Sequence, residues 1–198
     1  GHISTGRSVL SALLKTIPQK TSADRDTFNN LLRPSLISLA ASSGDLIALK
    51  GFISPAENNL TFTCFDYSGS TPLHSAIRSK QVKCVEWLLK HGASVHQRDS
   101  NQISPLLLAI SLLDSKEIDH LQLPEIITIL QQTGATLNSR DHETKKLFFN
   151  SIVNGNFSII HKMIQNGFNH KNVLDSHHRA VKDYFPLCPD SRIIKLLE

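Results

Sequence analysis

Histidine is the side chain of this sequence best suited to binding a metal ion. Among its ten histidines, the densest group is His177 and His178, with His170 nearby. Imidazole nitrogens are common ligands of Zn²⁺, but this group lacks a carboxylate at a typical ligand spacing. We therefore expect these histidines to lie in a loop, and we predict no metal site.

Cysteine offers nucleophilic chemistry at three widely separated positions, Cys64, Cys84 and Cys188. A small, odd number of cysteines is typical of a reducing compartment, so the cytoplasm is the predicted location. Cys84 precedes Val85 in an apolar helical pattern, which favours a buried thiol over a nucleophile. The sequence also has no nucleophile elbow, phosphate-binding loop or dinucleotide fingerprint. We predict no catalytic activity, no cofactor and no small-molecule substrate.

The composition allows a folded core and argues against two classes of partner. The 198 residues are 40% hydrophobic and 19% charged, which is sufficient for a globular core. No apolar run approaches the roughly 18 residues of a membrane-spanning helix. The net charge of +4 is spread along the chain without interleaved aromatic residues, so neither a membrane nor a nucleic acid is the predicted partner.

These residues are carried by elements that repeat along the chain. The segment "DYSGSTPLHSAI" begins at Asp66, and a related segment, "DSNQISPLLLAI", begins 33 residues later at Asp99. Further along each unit, a glycine stands at the equivalent position: Gly92, Gly134 and Gly167. The wider first spacing of these glycines indicates an insertion around residues 111–123 in the third unit, which we interpret as a plain polar loop.

Each repeat reads as two helices joined by a turn. Thr71 is suited to cap the first helix, and Pro72 fits its first position, where no N–H is needed. Apolar residues follow at helical spacing, and Gly92 suits the left-handed end of the second helix. His74 lies in the first turns of the first helix, so we expect it to be hydrogen-bonded at the turn. One pair of helices cannot bury its own apolar face, so the copies must stack.

The words "GSTPLHSA" and the period of 33 residues resemble the ankyrin repeat. The resemblance implies an all-α solenoid of about five helix-turn-helix units, with turn "fingers" projecting from one edge. We place a segment of 1–32 before a repeat domain of 33–198, with units at about 33–65, 66–98, 99–140, 141–174 and 175–198. Gly69 supplies the flexible turn position in the second unit, and Gln102 and Thr144 replace it in the next two.

The segment 1–32 carries an apolar helical stripe from Val9 to Ile17 and then a second helix beginning near Thr21. We interpret these as a helical cap that covers the open edge of the first repeat. A free linker is the alternative.

A narrower resemblance covers roughly residues 30–140. The words Pro34-Ser35-Leu36, Gly44-Asp45 and Ser104-Pro105-Leu106 are similar to the C-terminal ankyrin-repeat domain of the long animal and fungal asparaginases, also described as lysophospholipase-like enzymes. That likeness implies a catalytic half outside this chain. Such enzymes carry a nucleophilic Thr in "TGGTI"-like text, and the "STG" of residues 4–6 lacks the rest of that motif.

The positions that the ankyrin consensus leaves variable are the predicted partner-binding residues. They lie at the fingers and at the exposed end of the first helix: Tyr67, Ser68, Ser70, Arg78, Ser79, Asn101, Ile103 and Leu112. Aromatic and Arg side chains anchor protein interfaces, and an apolar side chain at a turn tip needs a partner, so we expect one binding face.

Two functional hypotheses follow. In the first, the chain is a non-catalytic protein-interaction domain that serves as the accessory domain of an asparaginase-type amidohydrolase, contacting its own catalytic domain or a sister subunit. In the second, it is a stand-alone scaffold that recognises an unrelated protein. A DNA-associated regulator would need a basic face that the sequence does not gather in one place.

Overall fold

The computed structural model describes residues 33–52, 66, 68–114 and 122–198. These residues form helices and turns without a named strand, apart from an isolated antiparallel bridge between Leu174 and Ala180. The fold class is therefore all-α, as predicted for a repeat solenoid. The predicted helical cap of 1–32 lies outside the described residues, as does most of the insertion.

The chain divides into two compact units, Gly1–Asn101 and Gln102–Glu198. In the first unit, α1 packs against both α2 and α3, and α3 packs against α4. The described helices of this unit are α1 (Arg33–Ser43), α2 (Leu46–Phe52), α3 (Pro72–Arg78) and α4 (Val82–Lys90).

In the second unit, α5 packs against α6, and α7 packs against α8 and against the second 3-10 helix. Helix α8 also contacts α5 and α9. The described elements are α5 (Pro105–Ser111), a 3-10 helix (Leu112–Asp114), α6 (Gln122–Gln132), α7 (His142–Val153), α8 (Phe157–Gln165), a 3-10 helix (Val181–Leu187) and α9 (Ser191–Leu197).

The first helices of the second and third repeats begin where their caps predict. The Thr71 side chain accepts a hydrogen bond from the His74 N–H, and the Ser104 side chain accepts one from the Leu107 N–H. Proline follows each cap, at the position where a missing N–H leaves no partner unsatisfied. The alignment of the two copies is thus confirmed at the level of individual hydrogen bonds.

The second helices end at the glycines that set the sequence register. Helices α4, α6 and α8 end at Lys90, Gln132 and Gln165, each two residues before a glycine. Those glycines have φ values of +101°, +92° and +82° in chain order, which is the left-handed conformation that terminates a helix.

The fourth repeat departs from the pattern at its finger. Asp141 caps α7 directly, accepting a hydrogen bond from the Thr144 N–H. The prediction that Thr144 replaces the turn glycine is therefore wrong, because Thr144 lies in the first turn of a helix. Residues 142–146 are helical here, whereas the earlier repeats form a finger before the first helix begins.

Each unit buries both small and large apolar side chains. Ala40, Ala41, Ala76 and Ala109 are each 0% exposed, as expected for residues that let neighbouring helices approach closely. The largest fully buried side chains include Leu73, Leu88, Leu106, Ile126 and Phe148. Each buried side chain of this size contributes roughly 1.5–3 kcal/mol to the free energy of folding.

Candidate functional site

The fingers are the turns at residues 66–70, 99–103 and 175–179, and each begins with an aspartate. Asp66 Oδ1 accepts hydrogen bonds from the N–H groups of Ser68 and Ser70, at 2.9 and 3.0 Å. Asp175 Oδ1 accepts the corresponding pair, from His177 and Arg179, at 2.8 Å each. The carboxylate thus holds the backbone of each finger through main-chain donors, and in the finger of Asp66 the Ser68 hydroxyl adds a hydrogen bond to Oδ1 at 2.6 Å.

The same pattern begins in the finger after the second repeat. Asp99 Oδ1 accepts the Asn101 N–H at 2.9 Å, and Gln102 adopts φ +62°. Gly69 and His178, at the corresponding position of the other two fingers, have φ +73° and +60°. The turn at Gln102 thus keeps the conformation of the glycine that it replaces.

The first finger is tied to the next one at Gly69. The Ser100 N–H donates a hydrogen bond to the Gly69 oxygen at 2.9 Å. A Cβ at Gly69 would lie closer to the Ser100 side chain than real Cβ atoms come to any neighbour. Glycine is required here both by its φ and by the approach of Ser100.

Hydrogen bonds also set the charge of the finger aspartates. Burial alone raises the pKa of Asp66, but hydrogen bonds from Ser68 and Ser70 outweigh burial and hold that pKa below its usual range. Burial likewise opposes ionisation of Asp175, yet bonds from Tyr184 and Arg179 hold its pKa well below the usual range. These carboxylates are therefore anionic at neutral pH.

Most of the predicted contact residues in the first unit are accessible. Ser68, Arg78, Ser79 and Asn101 are exposed, with Ser68 and Asn101 on the fingers and Arg78 and Ser79 at the end of α3. Tyr67 lies outside the described residues.

Ser70 is the exception, because it is only 3% exposed. Its N–H is bound by Asp66, its oxygen accepts the Asp66 N–H at 2.9 Å, and its hydroxyl accepts from Arg78 Nη1 at 3.4 Å. That burial contradicts its prediction as a contact residue. Its side chain instead contacts the guanidinium of Arg78.

Ile103 and Leu112 belong to the second unit and are half-buried. Ile103 stands immediately before the cap of α5, and Leu112 is the residue that ends α5. Each therefore keeps part of its apolar surface accessible at opposite ends of that helix.

His74 and Cys84 occupy buried positions in the first unit. His74 is 0% exposed, with its Nδ1 2.7 Å from the Thr71 hydroxyl, as expected for a histidine bound at the turn. Cys84 is 1% exposed, and burial, followed by the charge of Asp45, raises the pKa of its thiol to about 11. A thiol with that pKa is protonated at neutral pH and is a poor nucleophile.

Across residues 33–52, 66, 68–114 and 122–198, no three His, Cys, Asp or Glu side chains stand close enough to share a metal ion. His177 lies at the tip of the last finger, 3.7 Å from Asp175, and His178 forms its left-handed turn. Within that same part of the chain, none of the helices has the length and apolar character to cross a bilayer.

A polar cluster at the last finger was not identified from the sequence. The Tyr184 hydroxyl donates to Asp175 Oδ2 at 2.6 Å, and Arg179 Nε donates to the same oxygen at 2.9 Å. Arg179 Nη2 also donates to the Tyr184 oxygen at 2.7 Å. The sequence feature that could have indicated this cluster is Asp175, which opens a finger as Asp66 and Asp99 do.

Comparison with known proteins gives a family match over much of the chain. A family model described as "Ankyrin repeats (3 copies)" matches residues 6–99 and 37–141. The repeats inferred from the sequence words thus coincide with the family pattern over more than half of the chain.

Individual relatives are similar over shorter segments. The chain is 29% identical over 127 residues to the transient receptor potential cation channel subfamily A member 1 of Drosophila melanogaster, covering 64% of this chain and 10% of the channel. It is 28% identical over 114 residues to an L-asparaginase of Dirofilaria immitis, covering 58% of this chain and 19% of that protein. It is 39% identical over 71 residues to the 60 kDa lysophospholipase of Mus musculus, covering 36% of this chain and 12% of that protein. The chain therefore spans a minor part of each relative.

Proposed function

Because the chain belongs to the ankyrin-repeat family, we propose that it is a non-catalytic domain that binds another protein, and that this partner is the catalytic part of an asparaginase-type amidohydrolase. The observation that carries the proposal is the construction of the fingers. Their backbones are held by Asp66, Asp99 and Asp175, while Ser68 and Asn101 present exposed tips. A surface ordered before binding loses little entropy when a partner docks.

The similarity to two hydrolases supports the choice of partner. The L-asparaginase of Dirofilaria immitis and the lysophospholipase of Mus musculus both match this chain. Each is much longer than the segment that matches, so each has room for a separate catalytic part. In this proposal the repeats contact that part within one protein or in a sister subunit.

The proposed contact surface consists of the finger tips and the ends of the first helices. Arg78 is the proposed anchor, because it is exposed and its guanidinium contacts the Ser70 hydroxyl at 3.4 Å. Planar, pre-positioned arginines are common anchors of protein interfaces. In the first unit the proposed contact residues are Ser68, Arg78, Ser79 and Asn101, together with Tyr67, which lies outside the described residues. In the second unit they are Ile103 and Leu112.

Two further assignments belong to the same proposal. The proposed repeat units begin at about 33, 66, 99, 141 and 175, and an aspartate stands at the start of four of these five segments. The cytoplasm is the proposed location, because a half-buried Cys188 and a buried Cys84 are free thiols.

A titration of the chain with an asparaginase lacking its matching segment tests the proposal. We expect binding that weakens about tenfold in the Arg78→Ala variant, because loss of one anchor residue removes 1–2 kcal/mol. The Lys83→Ala variant, which removes one exposed cation from α4, serves as the matched control. Absence of binding, with the chain folded by circular dichroism, rejects the asparaginase partner.

The alternative is a stand-alone scaffold, favoured by the similarity to a transient receptor potential cation channel, whose name indicates no hydrolase. The two hypotheses differ in self-association. If the N-terminal segment is an assembly surface, as the accessory-domain hypothesis allows, light scattering should show a discrete oligomer. That oligomer should dissociate when the residues before Leu31 are removed. Aggregation of the truncated chain instead identifies the segment as a structural cap and leaves the fingers as the binding surface.

A further inference from the structure

A cleft of about 440 Å³ opens in the second unit between α7 and the last finger. Its volume is within the range of ligand-binding pockets. Cationic side chains dominate its wall, and we call it the basic cleft: it is lined chiefly by Arg140, Lys145, Lys146, Asp175, Arg179 and Tyr184.

The departure of the fourth repeat accounts for this cleft. In the first unit, the finger that begins at Asp66 is contacted by the next one, where the Ser100 N–H binds the Gly69 oxygen. In the fourth repeat, residues 142–146 form a helical turn in place of a finger. The last finger, at 175–179, therefore faces a helix, and the space between them stays open.

The charge of the cleft is mostly uncompensated. Neither Arg140 nor Lys145 forms an ion pair with any of the described residues. Lys146 pairs with Glu143 at 3.4 Å on the exposed surface, where water screens such pairs strongly. These three cations are available to a ligand.

The one carboxylate in the wall is already engaged. The Asp175 side chain is 7% exposed and accepts hydrogen bonds from Tyr184, from the Arg179 guanidinium and from two backbone N–H groups. It therefore acts as a brace for the finger, and it adds little repulsion against an anionic ligand.

The surroundings favour carboxylates carried by a peptide over phosphate or nucleic acid. The N–H groups of His177 and Arg179, which could cradle a phosphate, already donate to Asp175. Phe149 and Tyr184 are 4% and 7% exposed, so neither offers an open face for a base to stack on. The exposed rings of the wall are the imidazoles of His142 and His177, and the nucleic-acid competitor in the test below addresses stacking on them. What remains is a set of separate, flexible cations, which suits acidic side chains spaced along an extended segment.

We propose that the basic cleft binds an acidic segment of a protein partner. This inference rests on the proposed protein-binding function and names the chemistry that one part of the surface recognises. The segment lies in the place that a finger of the fourth repeat would occupy, with its carboxylates against Arg140, Lys145 and Lys146.

The test is a fluorescence-anisotropy titration of the full chain with a labelled peptide in which glutamate alternates with serine. The reference peptide carries glutamine in place of each glutamate. We expect at least about tenfold tighter binding of the acidic peptide, and weaker binding as salt rises toward about 0.15 M, because the contacts are exposed ion pairs.

The Lys145→Gln/Lys146→Gln variant should lose about tenfold in affinity for the acidic peptide, which corresponds to two exposed charge contacts. The matched control is Lys83→Gln/Lys90→Gln, which removes the same charge from exposed positions on α4. We expect the control to bind like the unaltered chain. Circular dichroism and thermal unfolding of all variants establish that a loss of binding is not a loss of folding.

Three results overturn the inference. The first is equal affinity for the acidic and glutamine peptides, and the second is an equal loss of affinity in the cleft variant and the control variant. The third is displacement of the labelled acidic peptide by inorganic phosphate or oligothymidylate at a lower concentration than unlabelled acidic peptide requires. The parallel titration with the asparaginase lacking its matching segment separates the two proposals. If the asparaginase binds and Arg78→Ala weakens that binding, while the acidic peptide does not bind, the cleft inference is wrong and the proposed protein-binding function stands.

Discussion

At the scale of single residues, the fingers depend on one aspartate and one close approach. Asp66 and Asp175 each bind two backbone N–H groups of the finger that they open. Gly69 lets the next finger approach, with the Ser100 N–H on its oxygen. These groups set the backbone shape, and the exposed Ser68 adds a hydrogen bond from its hydroxyl to Asp66 Oδ1 at 2.6 Å.

Gly69→Ala should destabilise the chain more than Gly134→Ala does. Both glycines have positive φ, at +73° and +92°, so each substitution costs about 1 kcal/mol from strain. A Cβ at Gly134 meets nothing within 4 Å, whereas one at Gly69 collides with Ser100. We expect about 1–3 kcal/mol of additional loss at Gly69, measured by urea unfolding.

Relief of the collision provides the control for that prediction. In the Gly69→Ala/Ser100→Gly double variant, the side chain that collides is absent, so the loss beyond that of Gly134→Ala should mostly disappear. Equal destabilisation by the two single variants would show that the fingers separate readily.

Asp175→Asn should remove part of the acid sensitivity of the protein. The pKa of Asp175 is lower in the folded chain than in the unfolded chain, so the unfolded state binds more protons in acid. The stabilisation is present above the unfolded pKa of about 3.9 and is lost as the pH falls through the folded pKa. Calorimetry from about pH 5 downward should show a steeper fall in Tm for the unaltered chain than for the variant.

Glu125→Gln removes one exposed carboxylate from α6 and is the matched control. It should keep the acid profile of the unaltered chain. If Asp175→Asn has the same profile as that control, the hydrogen bonds at the last finger do not contribute to stability in solution.

At the scale of helices, the caps and the glycine stops explain where elements begin and end. Their positions could be predicted because Thr71, Pro72 and Gly92 act on backbone groups within a few residues of themselves. The finger of the fourth repeat could not be predicted in this way. Asp141 is an aspartate at the finger position and also a helix cap, and only the packing of α7 against its neighbours selects between these two roles.

Thr71→Ala should lower the free energy of unfolding by about 2–3 kcal/mol. The change removes a helix cap, worth about 1 kcal/mol, and takes away the hydroxyl that lies 2.7 Å from Nδ1 of the fully buried His74. A buried polar group that loses its partner costs about 1–3 kcal/mol. Urea unfolding measures the difference.

Thr71→Ser keeps the hydroxyl and should restore most of that stability, as the natural serine at position 104 indicates. If Thr71→Ser is as unstable as Thr71→Ala, the loss of stability comes from the missing methyl group, and the prediction that the capping hydroxyl is responsible is wrong.

At the scale of the whole molecule, the chain combines repeats that agree with the family pattern and repeats that depart from it. The regular part follows from local sequence, so its fold class was predictable. The basic cleft was not, since Lys145 and Arg179 are far apart in sequence and face one space only because residues 142–146 are helical. Basic residues that look scattered along the chain are thus gathered locally by one change of secondary structure.

Labelling of Cys84 by a thiol reagent should report on opening of the first unit. The side chain is buried, and its pKa is raised to about 11, so reaction at neutral pH requires the unit to open. In a Cys64→Ser/Cys188→Ser background, Gly69→Ala should raise the labelling rate roughly 30-fold if it costs about 2 kcal/mol. Gly134→Ala, in the second unit, should raise it much less.

Repeat proteins unfold in pieces when neighbouring units are weakly coupled. If both variants raise the labelling rate in proportion to their loss of global stability, the two units unfold together and the expectation of separate opening is wrong.

The aspartate at the base of each finger affects how the sequence of such a chain can evolve. Because the carboxylate binds backbone N–H groups of the loop, the side chains of Asn101 and His177 can be exchanged without loss of those hydrogen bonds. Recognition is thereby uncoupled from folding, so mutation can diversify one while selection preserves the other. The same property makes the fingers natural sites for grafting new binding loops onto this scaffold.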